Sequence, residues 1–570
     1  MIRGSSLYSR ATEAMQKVPV YYVSFGSVGS GSYVPSIPTE FATGRIMAAT
    51  KIRKTIMSVP MGGGQSISEL AGSSTISSMS FNLLDTDGEI TKMINTYPMK
   101  NRVVTLYAGY NNVPEAEFII LFRGVLNNIS TTQDGTAWSF TVADFQRLAK
   151  TAKFTASTVA LSAIDENALT VTIPASPTAS FPWFAPQTIQ GNRGPVNFMK
   201  IDDEIIGYSS IVTSITGDYN TVNIYGRGLM GTTKNKHDAG ASVTNAILLD
   251  GNPLDIMLWL MTSKTGDGTN GTYDVLPAGQ GVGIDEDFVL VDDIERQRDR
   301  FISGTRFQFL ITESTDIKAF IETEILKVLN GYPVVKNDGR LTVKLYTPPF
   351  PVDVVAAFDE TNIIAAPSFD MRLQSNSGFI NVIDFKYDHD ANAGEFYSQK
   401  IIVDGDSVTE SEENAVFKVE SKGLRGGFVF QGETIVQRFA NMVFQRYSKG
   451  CPSISVQTFY SEHLCEMGDS ATIKSAYVPN SFQRVMNGDP IICEVVNKAI
   501  DYQSGRVTFT LKATGFNFND RWFIISPSDQ VGYDTATDAE KSSFGFISSE
   551  LSPTVGIMGD TGDPGYKITP

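Results

Sequence analysis

The chain has 570 residues, 42% apolar and 19% charged, which is enough to fill roughly three to five domain cores and excludes a disordered chain. Its 46 Lys and Arg against 62 Asp and Glu give a net charge of −16, so binding nucleic acid through a basic patch is excluded. Three cysteines, Cys451, Cys465 and Cys493, are too few and odd in number for a disulfide framework.

Met1 to Arg10 lack an apolar signal core, and no run of about 18 apolar residues suggests a membrane segment. The chain is therefore read as made and folded in a cytoplasm. Short β-type runs dominate its first half. Val103 to Tyr107 is one, and Phe118 to Phe122 followed by Gly124 is another. Trp138 to Val142 alternates apolar and polar residues after the turn Asp134-Gly135, which predicts one face on a core and one toward water. Residues 20–155 read as a small β-barrel or sandwich. A second β-rich stretch, to about residue 250, opens with a Ser/Thr/Ala/Pro-rich loop and contains Met199 to Tyr208 and Val222 to Tyr225. It reads as an inserted minor domain.

Helices enter later. Leu254 to Leu260 reads as a buried helix carrying Trp259. Ile317, Phe320, Ile321 and Ile325 fall at helical spacing, with Ser314 or Thr315 as N-cap and Asn330-Gly331 and Pro333 as the stop. A hairpin follows, in which Asn337-Asp338-Gly339 turns between Val334-Val335 and the face Leu341, Val343, Leu345. Glu433 to Ser448 predicts a second helix with the stripe Ile435, Val436, Phe439, Met442 and Val443, ended by Gly450 and Pro452. Strands return with the alternations Ile491, Cys493, Val495 and Val507, Phe509, Leu511, the latter just after the turn Gln503-Ser504-Gly505. From about 516 the chain reads as a polar loop. Gly556, Gly559, Gly562 and Gly565 recur every third residue, a collagen-type period that fits either three chains side by side or a flexible Gly-rich tail.

Chemistry-bearing patterns are few. The three histidines, His237, His389 and His463, belong to no H-E-x-x-H pattern, and no G-x-S-x-G elbow or phosphate loop occurs. His463 and Cys465 fit no common metal spacing, and Cys493 reads as a small hydrophobe on the apolar face of a strand. Gly26 to Gly31 and Gly62-Gly63-Gly64 read as loops. Asp85-Thr86-Asp87-Gly88-Glu89 resembles half a calcium loop without its later glutamate and reads as a tight turn between a strand and a short helix. Asp285, Glu286, Asp287, Asp292 and Asp293 read as a solvated acidic face. No catalytic, cofactor-binding or metal-ligating residue is assigned, no cofactor is expected, and the chain is read as not an enzyme.

Arg227-Gly228-Leu229-Met230-Gly231-Thr232-Thr233, continuing through His237, Gly240 and Val243, resembles an R-G-x-x-G-T-x-x-x-x-H-x-x-G-x-x-V element of phage minor tail and hub proteins. It reads as strand, Gly-rich turn and strand, with His237 a structural turn residue. Ser80 to Asp85, Arg102 to Gly109 and Leu121 to Val125 are similar to the opening barrel of such proteins. Lys422 to Arg425, a helix ending in Arg-Tyr, and Met467 to Ile473 resemble their later barrel. The similarity runs from about 80 to 520, and the shared order of the motifs carries it.

The resemblance implies a homotrimeric baseplate or tail-tip hub, assembled in the host cytoplasm and carried at the tail tip of the virion. Each protomer would hold two tube-like β-barrels, so that three protomers meet a sixfold tail tube above and a threefold spike or fibre below. Its partners would be a distal tail or tail tube protein, a spike or fibre protein, a tape measure protein in the lumen, and DNA passing without specific binding.

The expected fold is mainly β with some α, in several domains. It has an N-terminal arm (1–19), a first tube-like barrel (20–155), an inserted small β domain (156–250), an α/β domain (251–355), a second tube-like barrel (356–515) and a C-terminal extension (516–570). Two alternatives stand beside the hub. A receptor- or carbohydrate-binding tail protein, with or without glycan hydrolase activity, would use Trp138, Trp183, Trp259 and Trp522 with the 21 tyrosines, although four Trp is a small supply. A cell-wall hydrolase is disfavoured by the shortage of His and the absence of a zinc or Cys/His constellation.

Overall fold

A computed structural model describes residues 19–26, 37, 40–43, 53–55, 61–62, 65–111, 113–131, 135–149, 152–153, 157–175, 194–266, 268, 271–276, 279–346, 354–364, 368–370, 379–390, 393–426, 431–448, 450–451, 453–480, 485–486, 490–501, 505–514, 524–525, 544–549 and 566–569. The Gly-x-y run, Trp183, Trp522 and all but Gly26 and Gly62 of the two early Gly-rich stretches lie outside the described residues.

The first sheet is built from β1 (Pro19–Phe25), β2 (Glu40–Ala42), β3 (Arg53–Thr55), β4 (Met61–Gly62), β7 (Ser78–Leu84), β8 (Val103–Tyr110), β9 (Ile119–Thr131) and β10 (Ala137–Ala143). Its eight strands run β3-β2-β1-β8-β9-β10-β7-β4. Between β4 and β7 the chain leaves this sheet as a short ribbon, β5 (Gln65–Ser68) and β6 (Ser73–Ser74). Alternation decides the inside: Met79, Phe81 and Leu83 of β7 and Phe140 and Val142 of β10 are buried, while Ser80 and Asn82 are not. The rings of Phe25, Phe81 and Phe140 pack with centroids 5.3 to 6.2 Å apart. The segment Asp85 to Glu89 is a helix entry as well as a turn. Asp85 accepts N–H bonds from Ile90 and Thr91 at the start of α1 (Glu89–Thr96), and Trp138 donates its indole N–H to the same carboxylate.

After α2 (Gln146–Ala149) and β11 (Ala152–Lys153), a separate sheet forms from β12 (Ser157–Val159), β13 (Thr170–Pro174), β14 (Gly194–Ile201), β15 (Glu204–Thr213), β16 (Tyr219–Leu229) and β17 (Ser242–Gly251). Their order is β12-β17-β14-β15-β16-β13. Its own small core holds Val171, Ile173, Met199, Ile206, Tyr208 and Val222. β17 continues past this core, and its Ile247 and Leu249 enter the next one.

That next core gathers the helical part: α3 (Pro253–Thr262), α4 (Val291–Phe301), β18 (Phe307–Ile311) beside β17, β19 (Thr315–Asp316) beside β11, and α5 (Ile317–Phe320). α3 is the expected buried helix, capped by the Asn252 side chain on the Leu254 N–H. The helix expected to be capped by Ser314 or Thr315 is capped by Asp316, two residues after the first and one after the second. Thr315 and Asp316 are extended because they pair with β11, so the Asp316 carboxylate is the cap, on the Ala319 N–H. It does not run on as a regular helix, because residues Ile321–Leu326 widen into a π turn. The hairpin β20 (Gly331–Val335) and β21 (Leu341–Leu345) follows, with Gly339 at φ 83° in its turn.

The remaining strands are β22 (Val354–Phe358), β23 (Ser368–Asp370), β24 (Val382–Asp390), β25 (Glu395–Val403), β26 (Val416–Glu420), β27 (Ser453–Phe459), β28 (Ser470–Ile473), β29 (Pro479–Asn480), β30 (Val485–Met486), β31 (Ile491–Asp501) and β32 (Arg506–Ala513), with helices α6 (Gly405–Ser411) and α7 (Gln431–Tyr447). β25-β24-β26 form a three-stranded sheet whose inner residues join the helical core under α7. β22-β28-β31-β32-β27-β23 form the second large sheet, which becomes eight-stranded because β5 pairs with β31 and carries β6. A strand from the N-terminal region is thus built into the C-terminal sheet.

The two large sheets also share one contiguous core. Phe81, Leu106 and Phe140 belong to the same cluster as Val456, Val495 and Phe509. Beyond residue 516, where a loop was expected, β33 (Ile524–Ile525), β34 (Phe544–Ser549) and β35 (Tyr566–Thr569) form a small sheet. The alternation of Phe544 and Phe546 is the strand signal there. The chain is mainly β with helices and several sheets, and no helix among the described residues is long and apolar enough to cross a membrane.

Candidate functional site

The residues of the Arg227 to Val243 element converge on a carboxylate outside it. The β15–β16 hairpin pairs Ile205 with Leu229, which brings Glu204 beside Gly228. Glu204 has no exposed side-chain surface. Arg227 donates to it in a fork, Nε to Oε1 at 2.6 Å and Nη2 to Oε2 at 2.7 Å. The backbone N–H groups of Gly228 and Asn235 donate at 2.8 and 3.1 Å. His237 Nε2 lies 2.9 Å from Oε2, while its Nδ1 lies 2.8 Å from Asp202. Burial alone would raise the pKa of Glu204. The bonds from Arg227, the Asn235 N–H, His237 and the Gly228 N–H outweigh it and hold the group at about 2.

Arg227 also donates to the carbonyls of Asp165 and Asn235, so one side chain ties β16 to two loops. Gly228 needs its φ of 59°, and a side chain there would press on the Thr232 carbonyl and the Lys234 N–H. His237 is therefore a buried member of this clamp.

Two further clamps sit where the later motifs fall. In the Arg446-Tyr447 end of α7, Arg446 donates to Glu494 of β31 at 3.0 Å, and its guanidinium lies 4.6 Å from the centroid of the Tyr346 ring. Tyr332 of β20 donates its hydroxyl to the other Glu494 oxygen. One buried carboxylate thus ties helix, hairpin and sheet. In the Gly468-Asp469 turn, Gly468 takes φ 75° and Asp469 accepts the Glu466 N–H and a bond from Lys336 at 3.1 Å. Glu466 accepts the Asn337 N–H at the hairpin tip. Burial would lower the pKa of Lys336, but Asp469 and Glu466 outweigh it and raise it.

The other candidates disperse. His463 is buried, with Nδ1 2.6 Å from the Tyr460 carbonyl, and its own carbonyl accepts from Lys498, whose pKa burial lowers. Cys465 and Cys493 are buried, and burial pushes both thiols up. His389 packs at a tilt against Phe396, with ring centroids 4.9 Å apart. Of the acidic group, Asp287 and Asp292 are exposed, but Asp285 caps the turn before α4, Asp293 accepts from Thr342, and one Glu286 oxygen is buried. They do not form one solvated face. Trp138 is tied to Asp85 and Thr91, and Trp259 packs over Gly251. Among the described residues, no three of His, Cys, Asp and Glu stand so that they could hold a metal ion.

Glu204, Glu466 and Glu494 escaped the sequence reading. For Glu494 the available signal was a lone carboxylate inside an apolar strand, between Cys493 and Val495, whereas Glu204 closes the acidic run Asp202-Asp203-Glu204 and reads there as part of a polar turn. Each clamp fills its acceptors with protein donors, which makes it a fastener.

No family model matches the chain, and no curated protein does. Among solved structures, it is similar to a tail protein from Neisseria meningitidis at 10% identity, over 87% of this chain and 97% of that one, with a TM-score of 0.36. It is similar to a 43 kDa tail protein of prophage MuSo2 from Shewanella oneidensis at 7% identity, over 87% and 99% of the two chains, with a TM-score of 0.33. A prophage tail protein from Listeria monocytogenes matches at 11% identity over 63% of this chain and 89% of its own, with a TM-score of 0.22.

Proposed function

We propose that this chain is a structural protein of a phage tail, a homotrimeric hub at the tail tip. The observation that carries the reading is the pair of eight-stranded sheets locked into one core, together with the tail-protein motifs found along them. The opening-barrel motifs lie on β7, β8 and β9, and the Gly-Asp motif leads into β28. Three copies of a chain with two such sheets offer six around an axis. That matches a sixfold tube on one side and leaves threefold symmetry for a spike or fibre on the other.

The motif residues act as fasteners, as a part that must keep its shape during assembly and ejection requires. The net charge of −16 suits a channel wall past which DNA slides without adhering. The sheet regions 20–155 and 356–515 are proposed as the tube-like modules, with 156–250 and 251–355 as an inserted β module and an α/β module. The partners are a tail tube or distal tail protein above, a spike or fibre protein below, and a tape measure protein in the lumen.

Gold-labelled antibody against the chain, applied to virions, tests the reading. Label at the distal tail end is expected, and label elsewhere or none on intact particles overturns it.

A further inference from the structure

We propose that the outward face of β13, β16 and β15 binds a neutral polysaccharide chain. The inner side of these strands is closed by Val171, Ile173, Val222 and Ile224, all buried. Their neighbours therefore point the other way. Along β16 these are Tyr219, Thr221, Asn223 and Tyr225, with Thr172 paired to Thr221 on one side and Val212 on the other. Among the described residues of these three strands, no Asp, Glu, Lys, Arg or His is exposed on this face, since Glu204 and Arg227 are buried in their clamp, in a protein whose net charge is −16.

Two aromatic rings stand on it, Tyr219 at 41% and Tyr225 at 57% exposure. They stand six steps apart along the strand, about 20 Å at roughly 3.3 Å per residue, with a hydroxyl and an amide between. The Tyr225 ring is held flat. It lies against Gly207, where a Cβ atom would come within 2.4 Å of the ring carbon Cζ, so only glycine admits it. Asn223 is fixed as well, its Nδ2 donating to Ser210 Oγ at 2.7 Å.

The supported ring of Tyr225 and the exposed ring of Tyr219 offer stacking to the apolar faces of sugars, and Thr and Asn offer paired donors and acceptors to their hydroxyls. The absence of charge on the face excludes ion pairing, and the net charge disfavours an acidic glycan, which leaves a neutral one. The inference rests on this face alone and not on the tail reading, so loss of glycan binding and absence from the virion tip are separate outcomes.

Native gels cast with dextran, hydroxyethylcellulose, galactomannan or laminarin, with polygalacturonate as the acidic control, test it on the full chain. Retardation by at least one neutral glycan is expected. Tyr225→Ala should weaken it roughly tenfold and Tyr219→Ala/Tyr225→Ala should abolish it, while Tyr225→Phe keeps it. Thr172→Lys, a change on the solvent side of β13, should also weaken it and guards against a double variant that fails to fold. The proposal is overturned if no neutral glycan retards the chain, if polygalacturonate retards it more, or if folded Thr172→Lys and Tyr225→Ala run like the wild type.

Discussion

Glu204 has no water to turn to, so its partners set its cost. Removing Arg227 leaves a buried carboxylate short of its only fork, and Arg227→Ala is expected to lose about 3–5 kcal/mol by denaturant unfolding. Arg227→Lys should recover only part, since an ammonium cannot donate in parallel to both oxygens. The pH dependence has a definite sign. The folded-state pKa of Glu204, about 2, lies below its ordinary 4.5, so its contribution is complete above about 4.5 and is lost as pH falls through 2. The gap in thermal midpoint between wild type and Glu204→Gln should therefore narrow across that window, and a gap constant from pH 7 to 2 contradicts the clamp. Arg227 and His237 were legible in the sequence as a spaced pattern. Glu204 was not, because a hairpin register and not a motif brings it to them.

The elements divide by how local their causes are. α3 and α7 were legible because apolar spacing and terminal signals lie within the segment. The start of α5 was misjudged because pairing of β19 with β11 holds Thr315 and Asp316 extended. Asp316→Ala is expected to cost about 1 kcal/mol through the lost cap on Ala319, whereas Ser314→Ala should be near neutral, by urea unfolding. The β5–β6 ribbon was not legible at all, since β5 reads as polar and its partner β31 lies far along the chain. Its turn residue Gly72 sits at φ 66°, and a Cβ there would lie 2.4 Å from the Lys327 nitrogen. Gly72→Ala should therefore lift the ribbon from the π turn and lower the melting temperature by several degrees. An unchanged melt would mean that the ribbon is not seated there.

At the scale of the whole molecule, one core under two sheets predicts one cooperative unit. Residues 356–515 expressed alone would lack β5 and the first-sheet residues that share one core with Val456, Val495 and Phe509. That fragment should bind a hydrophobic dye or precipitate, and a soluble, sharply melting fragment would contradict the shared core. Composition and alternation made the β-rich class legible. The joining of the sheets was hidden because it depends on contacts between distant parts of the chain. The central claim concerns copy number and place, and reconstruction of the distal tail by electron cryomicroscopy, without imposed symmetry, tests it most directly. Three copies of this 62.1 kDa chain closed around a channel are predicted. A tip that lacks the chain, or holds it once, contradicts the account.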